Sequence, residues 1–289
     1  MTDYDVKLHW LIDVDIIGEQ HQNVPQQLRA LGHKVTTLSA TKDLPEWDFR
    51  KNKEFNNSKD GIVVYPFHGS FEELKQVKNK LYTPSTYGLG PSILRSHYTS
   101  YIPHGWFLNN DSIMTTWGNL CSENRLDLYE RYGWDGEIFI RPDSGYKVFT
   151  GQLINLHDFV ENKAKLESIS GIVPETIIWT SSVKSIAAEY RVWISNRKIV
   201  THSEYSWDDK NIDIYNCLPE TPTKVLELAA QIANHRWQID RIYVVDISMY
   251  RGEAAIIEFN SFSCSGLYEC DSELLFKTVS EDIVAEWKE

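Results

Sequence analysis

The chain reads as an α/β protein whose C-terminal part is α+β, on three grounds. A strand, helix, strand pattern opens it, a glycine- and proline-rich break interrupts it at residues 87–91, and β-rich segments beyond the break end in a long hairpin. Helices that alternate with apolar strands imply a parallel sheet covered on its faces, whereas hairpins imply antiparallel pairing.

Leu8 to Val14 is β-rich, Pro25 to Leu31 suits a helix that Gly32 closes, and Lys34 to Leu38 alternates again. This is a βαβ opening. Gly61 to Tyr65 (GIVVY) is a short apolar run bounded by Asp60 and Pro66, as a buried parallel strand requires, and Ser70 with Glu72 and Glu73 begins another helix. The expectation is a small doubly wound domain over residues 1–91 and a second domain over 92–289. The break Tyr87 to Pro91 (YGLGP) suits a connection, and its G-x-G is too short for a dinucleotide fingerprint. After it, a polar, helix-compatible stretch runs from Asp111 to Tyr132. Glu137 to Gly151 (EIFIRPDSGYKVFTG) reads as two strands around a turn at Asp143, Ser144 and Gly145. Further strands are expected at Thr176–Trp179, Tyr190–Ile194 and Lys198–His202. A helix from Thr223 to Trp237 keeps Val225, Leu228, Ala229 and Ile232 at helical spacing. The chain closes with Ile242–Ile247, Ala254–Asn260 and a C-terminal helix.

Composition excludes several functions. A net charge of -12 opposes general nucleic-acid binding, which depends on lysine and arginine neutralising phosphates. No apolar run approaches the about 20 residues that cross a bilayer, and the acidic N-terminus lacks a secretory pattern, so a cytoplasmic protein is expected. Cys121, Cys217, Cys264 and Cys270 form no C-x-x-C pair, and neither H-E-x-x-H nor G-x-S-x-G occurs. Zinc sites, disulfide frameworks and serine hydrolase chemistry are therefore not indicated. Cys264 has no His or Asp at a diagnostic spacing and receives no nucleophilic role.

The densest chemistry lies between Ile242 and Tyr268. A hairpin with a three-residue loop Arg251–Glu253 pairs residue 250 with 254 and so sets Asp246 opposite Glu258, with Asn260 on the same face and Ile257 and Phe259 on the other. Three oxygen donors converging in this way suit Mg²⁺, which takes one or two carboxylates and completes its shell with water and phosphates. Glu258 and Asn260 alone would equally make the wet face of a half-exposed strand. Asp246 decides, because it interrupts the apolar run YVVDI, where an unpartnered charge is costly. Arg141 and Lys147 flank the Asp143–Gly145 turn and can hold phosphates. In EYRVWI, Glu189, Arg191 and Trp193 share one strand face, so Arg191 either pairs with Glu189 on a solvated surface or faces the carboxylates and stabilises a transferring phosphoryl group.

The ordered set R-P-D-S-G-Y-K, E-Y-R-V-W-I, V-V-D-I and I-E-F-N resembles the ATP-grasp superfamily, roughly from Ser92 to the C-terminus. The N-S-F-S-C-S-G-L-Y segment is similar to a loop in a bacterial and phage branch of it. The resemblance implies an ATP-grasp fold preceded by a Rossmann-like pre-ATP-grasp domain. It implies ATP and Mg²⁺ as cofactors, Arg141 and Lys147 on the nucleotide phosphates, Ile178, Trp179 and Thr180 as the adenine hinge, and Asp246, Glu258 and Asn260 as metal ligands. Arg141 stands where lysine is more frequent, and Trp179 where a small or acidic residue is. Most members phosphorylate a carboxylate and let an amine attack the acyl phosphate. The expected activity is thus a carboxylate–amine ligase with Arg191 as catalytic residue. The acceptor, a small molecule, peptide or protein, would be read by Glu204, Tyr205, Ser265 and Gly266. An ATP-dependent kinase acting on a hydroxyl or nucleic-acid end, and a non-catalytic nucleotide sensor, are the alternatives. The sequence does not specify an oligomeric state.

Overall fold

The computed structural model describes residues 8–14, 17–38, 61–65, 91–122, 129, 131–134, 136–143, 148–169, 171–205 and 222–289. The strands β1 (Leu8–Asp13), β2 (Lys34–Leu38) and β3 (Gly61–Tyr65) form a parallel sheet in the order β2-β1-β3, with helix α1 (Val24–Ala30) between the first two. Pro25 sits in the first turn of α1, where its missing N–H costs nothing, and Gly32 after it takes a φ of 86°. The opening pattern of the sequence is therefore realised. The helix expected at Ser70 and residues 87–90 of the break lie outside the described residues, as do Ser144, Gly145, Lys147 and Cys217.

A one-turn helix α2 (Arg95–Tyr98) leads to β4 (Ile113–Thr116) and a second short helix, α3 (Trp117–Leu120). The stretch from Asp111 was expected to be helical. Instead Ile113, Thr115 and Thr116, β-branched and stiff, extend along a neighbouring strand, and the Thr116 hydroxyl caps α3 by accepting from the Asn119 N–H at 3.2 Å. Strand β5 (Glu137–Pro142), β6 (Gln152–Asn155), helix α4 (Phe159–Ile169) and β7 (Ile177–Ser182) complete an antiparallel sheet of order β4-β7-β5-β6. Here too the sequence reading is corrected. Pairing runs from Glu137↔Asn155 to Ile140↔Gln152, so the second strand starts only at Gln152, and Val148 to Gly151 lie outside the ladder. One face of this sheet, with Ile138, Ile140, Ile154 and Ile178, packs with Trp117, Phe159 and Leu166 into a core of its own.

Strands β8 (Ala188–Ser195), β9 (Lys198–Tyr205), β10 (Ile242–Tyr250) and β11 (Glu253–Ser261) form the other antiparallel sheet, of order β11-β10-β8-β9. Helix α5 (Thr223–Asn234) covers one face, where Val225, Leu228, Ala229 and Ile232 meet Tyr190, Val192, Val245 and Phe259. The opposite face packs Trp193, Ile242 and Val244 against β1, α1 and helix α6 (Ser272–Lys288), in a core that joins Leu8, Trp10 and Leu28 to Phe276, Val279 and Ile283. Several large aromatics are consumed in this way: Trp10, Trp117, Trp193, Tyr98, Tyr190 and Tyr243 are all fully buried. No helix among the described residues is long and apolar enough to cross a membrane.

The β10–β11 hairpin turns on two residues, Arg251 and Gly252, with φ of 52° and 79°, and Tyr250 pairs with Glu253 rather than with 254. A β-bulge follows, because Ile247 pairs with Ile256 while Asp246 pairs with Glu258, leaving Ile257 as the extra residue. The shorter turn and the bulge cancel, so Asp246 stands opposite Glu258 as the sequence predicts. Their side effect is that Ile256, not Ile257, joins Phe259 in the core.

Candidate active site between the two antiparallel sheets

One face of the β8–β10–β11 ladder carries two chemistries. Strand alternation brings Trp193 and Arg191 of β8, Val244 and Asp246 of β10, and Asn260 and Glu258 of β11 onto it. Trp193 and Val244 enter the core, whereas the residues two places along face the other antiparallel sheet. Asp246 is wholly buried, and such a carboxylate needs full compensation. Arg191 supplies it as a fork, Nε to Oδ1 and Nη2 to Oδ2, both at 2.8 Å. The Asn260 amide bridges the two acids, donating from Nδ2 to Asp246 at 3.0 Å and to Glu258 at 3.1 Å. Arg191 also donates from Nη1 to the Gly266 carbonyl at 3.3 Å, and the Tyr268 ring lies over its guanidinium at 5.0 Å.

Across the gap, Arg141 of β5 ion-pairs with Glu258 and donates from Nη1 to the Ile257 carbonyl at 3.2 Å. Burial works to lower the arginine's pKa, but Glu258, Tyr98 and Asp246 together outweigh it and hold the value above the usual one. Arg141 Nε is buried without a hydrogen-bond partner among the described residues. Arg95 of α2, 1% exposed, reaches the same Ile257 carbonyl at 3.3 Å, donates to the Asn109 carbonyl at 3.1 Å and lies over the Trp179 ring at 5.2 Å. The bulge thus turns a backbone carbonyl out of the ladder to serve two guanidinium groups. Desolvation lowers the Arg95 pKa, the mark of a cation held where few counter-charges reach it.

Between the sheets lies a cavity of about 480 Å³, within the about 300–1,000 Å³ usual for ligand pockets. Arg191, Ile257 and Glu258 line one wall, and Phe139, Arg141 and Leu153 the facing one. Phe149 to Gly151, displaced from the expected strand, line it too, and a Cβ on Gly151 would stand 2.7 Å from Phe139 Cζ. Lys184 also borders the cavity and pairs with Asp111 at 2.7 Å. Burial works to raise the Asp111 carboxyl, but hydrogen bonds from Lys184 and Ser182 prevail and hold it below the usual aspartate range.

Residues 121–278, more than half of the chain, match the model of an ATP-grasp domain family, the second family of its clade. The chain belongs to this ATP-grasp family. Solved structures show the same fold over nearly its whole length. A D-cycloserine synthetase aligns at 11% identity over 96% of this chain and 99% of its own, with a TM-score of 0.59. The D-alanine–D-alanine ligase of Bacillus anthracis aligns at 13% identity over 98% and 99%, with a TM-score of 0.56. The N5-carboxyaminoimidazole synthetase of Staphylococcus aureus aligns at 14% identity over 96% and 77%, with a TM-score of 0.62. No curated protein sequence matches the chain.

In this ATP-grasp protein the structure gathers Arg141, Arg191, Asp246, Glu258 and Asn260 at one place, as the motif reading requires. Of the two alternatives for Arg191, the one that faces the carboxylates is realised, in its pair with Asp246. Other expectations are corrected. Ile178, Trp179 and Thr180 do not line the cavity: Ile178 is core, the Trp179 indole donates to Asp143 at 2.8 Å, and the Thr180 hydroxyl donates to the Ile113 carbonyl at 3.4 Å. Ser182, Lys184 and Ile186, a few residues on, line it instead. Glu204 pairs with Tyr190 and therefore belongs to the α5 side of its sheet, away from the cavity, while Tyr205 holds the register position opposite Glu189. Ser265 is fully buried and donates to the Ser261 carbonyl at 2.7 Å, while Gly266 offers its carbonyl to Arg191. Arg95 and Lys184 went unread in the sequence, whereas Tyr268 ends the N-S-F-S-C-S-G-L-Y segment singled out there. Each of the two is a single cation outside any periodic pattern, and only the tertiary fold shows where it goes.

Proposed function

We propose that the protein uses MgATP to phosphorylate a carboxylate and transfers the acyl group to an amine, forming an amide-type bond with release of ADP and phosphate. The observation that carries this reading is the meeting of Arg141, Arg191 and Glu258 on facing walls of one cavity, with Asp246 and Asn260 bonded to them from behind the wall. The names of the solved relatives, two synthetases and a ligase, support ATP-driven bond formation in general.

Asp246, Glu258 and Asn260 fit a hard divalent cation: three oxygen-bearing side chains side by side, short of a full shell. Among the described residues no three His, Cys, Asp or Glu side chains gather to hold a metal by themselves, so Asn260 would be the third donor and phosphate oxygens the remainder. Bound there, Mg²⁺ would neutralise phosphate charge. The chain's own residues do the rest. Phe139 and Leu153 offer an apolar bed for the base, two positions along β5 from Arg141, which meets the phosphates, with Lys147 assigned to the same task. Lys184 replaces the Ile178–Thr180 segment as the polar contact on that side. Arg191, fixed by Asp246, neutralises charge on the transferring phosphoryl group and on the acyl phosphate, and Gly266 sets the limit of approach for the acceptor. The Arg141–Glu258 pair adds a rule of entry. Bound phosphates would compete with Glu258 for Arg141, which would leave Glu258 able to serve as a metal ligand.

The test is magnesium-dependent ATP binding and turnover, with Glu258→Gln beside wild type and ADP distinguished from AMP. Wild type that binds MgATP and forms ADP, and a variant that loses metal-dependent activity, support the reading. AMP with pyrophosphate would leave the fold and remove the acyl phosphate. Binding without any turnover across carboxylates and amines would favour a nucleotide sensor, and phosphorylation of a hydroxyl a kinase.

A further inference from the structure

Tyr268 combines three observations that the ligase reading does not use. It is a non-glycine residue with a φ of 49°, in the left-handed region that tyrosine rarely occupies. Its ring lines the cavity and lies on the Arg191 guanidinium. Its carbonyl, turned away by the same backbone conformation, accepts two hydrogen bonds from the far end of the sequence: His21 Nε2 at 2.5 Å and Gln20 Nε2 at 3.2 Å. A carbonyl can only accept, so the His21 ring carries its proton on Nε2. His21 is itself buried, in the 3₁₀ turn Glu19–His21 between β1 and α1.

Strained backbone persists only where its surroundings over-determine it, and such positions concentrate at functional sites. Here the determinants are the two donors of the N-terminal turn on one side and the guanidinium on the other. Arg191 is held in its plane by Asp246, at one edge by the Gly266 carbonyl, and on one flat side by Tyr268, two residues further along the same loop. Without the ring the guanidinium would lose its cover on that side and could tilt about its Asp246 fork.

We infer that Tyr268 is a positioning residue for Arg191, and that His21 and Gln20 position Tyr268, so that the N-terminal turn sets the efficiency of phosphoryl transfer without touching nucleotide. The inference rests on the catalytic role proposed for Arg191. A residue that orients a group used in the transition state affects turnover more than ground-state nucleotide binding, whereas a merely structural residue affects both or neither.

The experiment uses the full chain and compares Tyr268→Ala, Tyr268→Phe, His21→Ala and His21→Gln with wild type. MgATP affinity is measured by calorimetry, ADP formation by a coupled assay, and the folded fraction by thermal unfolding. Tyr268→Ala is expected to slow ADP formation about tenfold with MgATP affinity changed by less than about twofold, and His21→Ala to slow it about threefold. Tyr268→Phe keeps the ring and the rate, and His21→Gln, whose amide can still donate to the carbonyl, recovers most of the loss. Variants that turn over like wild type overturn the inference alone. So does a loss of rate matched by an equal loss of affinity and folded protein, or a His21→Gln no better than His21→Ala. Should Tyr268→Ala fail to fold, the His21 pair decides. Wild type that neither binds nor hydrolyses MgATP overturns the ligase reading and this inference with it.

Discussion

On the proposed function, ligand entry turns on Arg141, because its ion-pair partner Glu258 is one of the acids assigned to the metal. Replacing Arg141 with methionine keeps the length of the side chain and removes one cation facing Glu258, which makes that carboxylate readier to accept a metal ion. Arg141→Met is expected to bind Mn²⁺ in the absence of nucleotide about tenfold more tightly than wild type, and MgATP about tenfold more weakly, as calorimetry would show. Equal Mn²⁺ affinity in the two proteins would sink the exchange. At this scale the sequence disclosed the acids and the two arginines because each breaks an apolar strand, and a break in alternation is visible in one dimension. Arg95 and Lys184 were invisible for the opposite reason. They come from short connecting segments in which a cation is unremarkable, and nothing in R-S-H-Y or S-V-K-S indicates that the charge is buried beneath a cavity.

The β10–β11 hairpin shows how an element can be read correctly for the wrong reason. The three-residue loop inferred around Gly252 is a two-residue turn, and the missing residue reappears as the bulge at Ile257, so that Asp246 still faces Glu258. Hydrophobic alternation reports faces and not register, and both errors had the same parity. The turn has a cost of its own, since Arg251 adopts a φ of 52° next to Gly252, where asparagine is better tolerated. Arg251→Asn is expected to raise stability by about 0.5–1 kcal/mol in urea unfolding without altering ATP turnover. A loss of stability would show that the Arg251 stack on the Tyr250 ring outweighs the backbone term. The strand read before Gly151 is not found over residues 148–151. Val148 and Phe149 have strand character, but Phe149 is spent on the core of its sheet and the segment bends to border the cavity.

For the whole molecule, the parallel opening sheet and most helices and strands of the second half were legible in composition and period, whereas the layering of three sheets was not, because it depends on which strand faces meet. One consequence is a defined response to alkali. Burial pushes the Cys270 thiol up to about 12, in the core that β1 and α6 share. A group whose folded pKa is raised contributes stability below its unfolded value and loses it as pH climbs toward the folded one. The protein should therefore weaken between about pH 8.5 and 12, and Cys270→Ala should flatten that decline in denaturant titrations. An unchanged slope would place the alkaline loss elsewhere. That shared core has a further consequence for synthesis. Leu8, Trp10 and Leu28 leave the ribosome long before Phe276 and Ile283, and His21 waits 247 positions for the carbonyl it holds. The early sheet cannot be sheltered while the chain is growing, and nascent protein should engage chaperones until α6 emerges, at which point shelter and catalytic geometry arrive in a single late event.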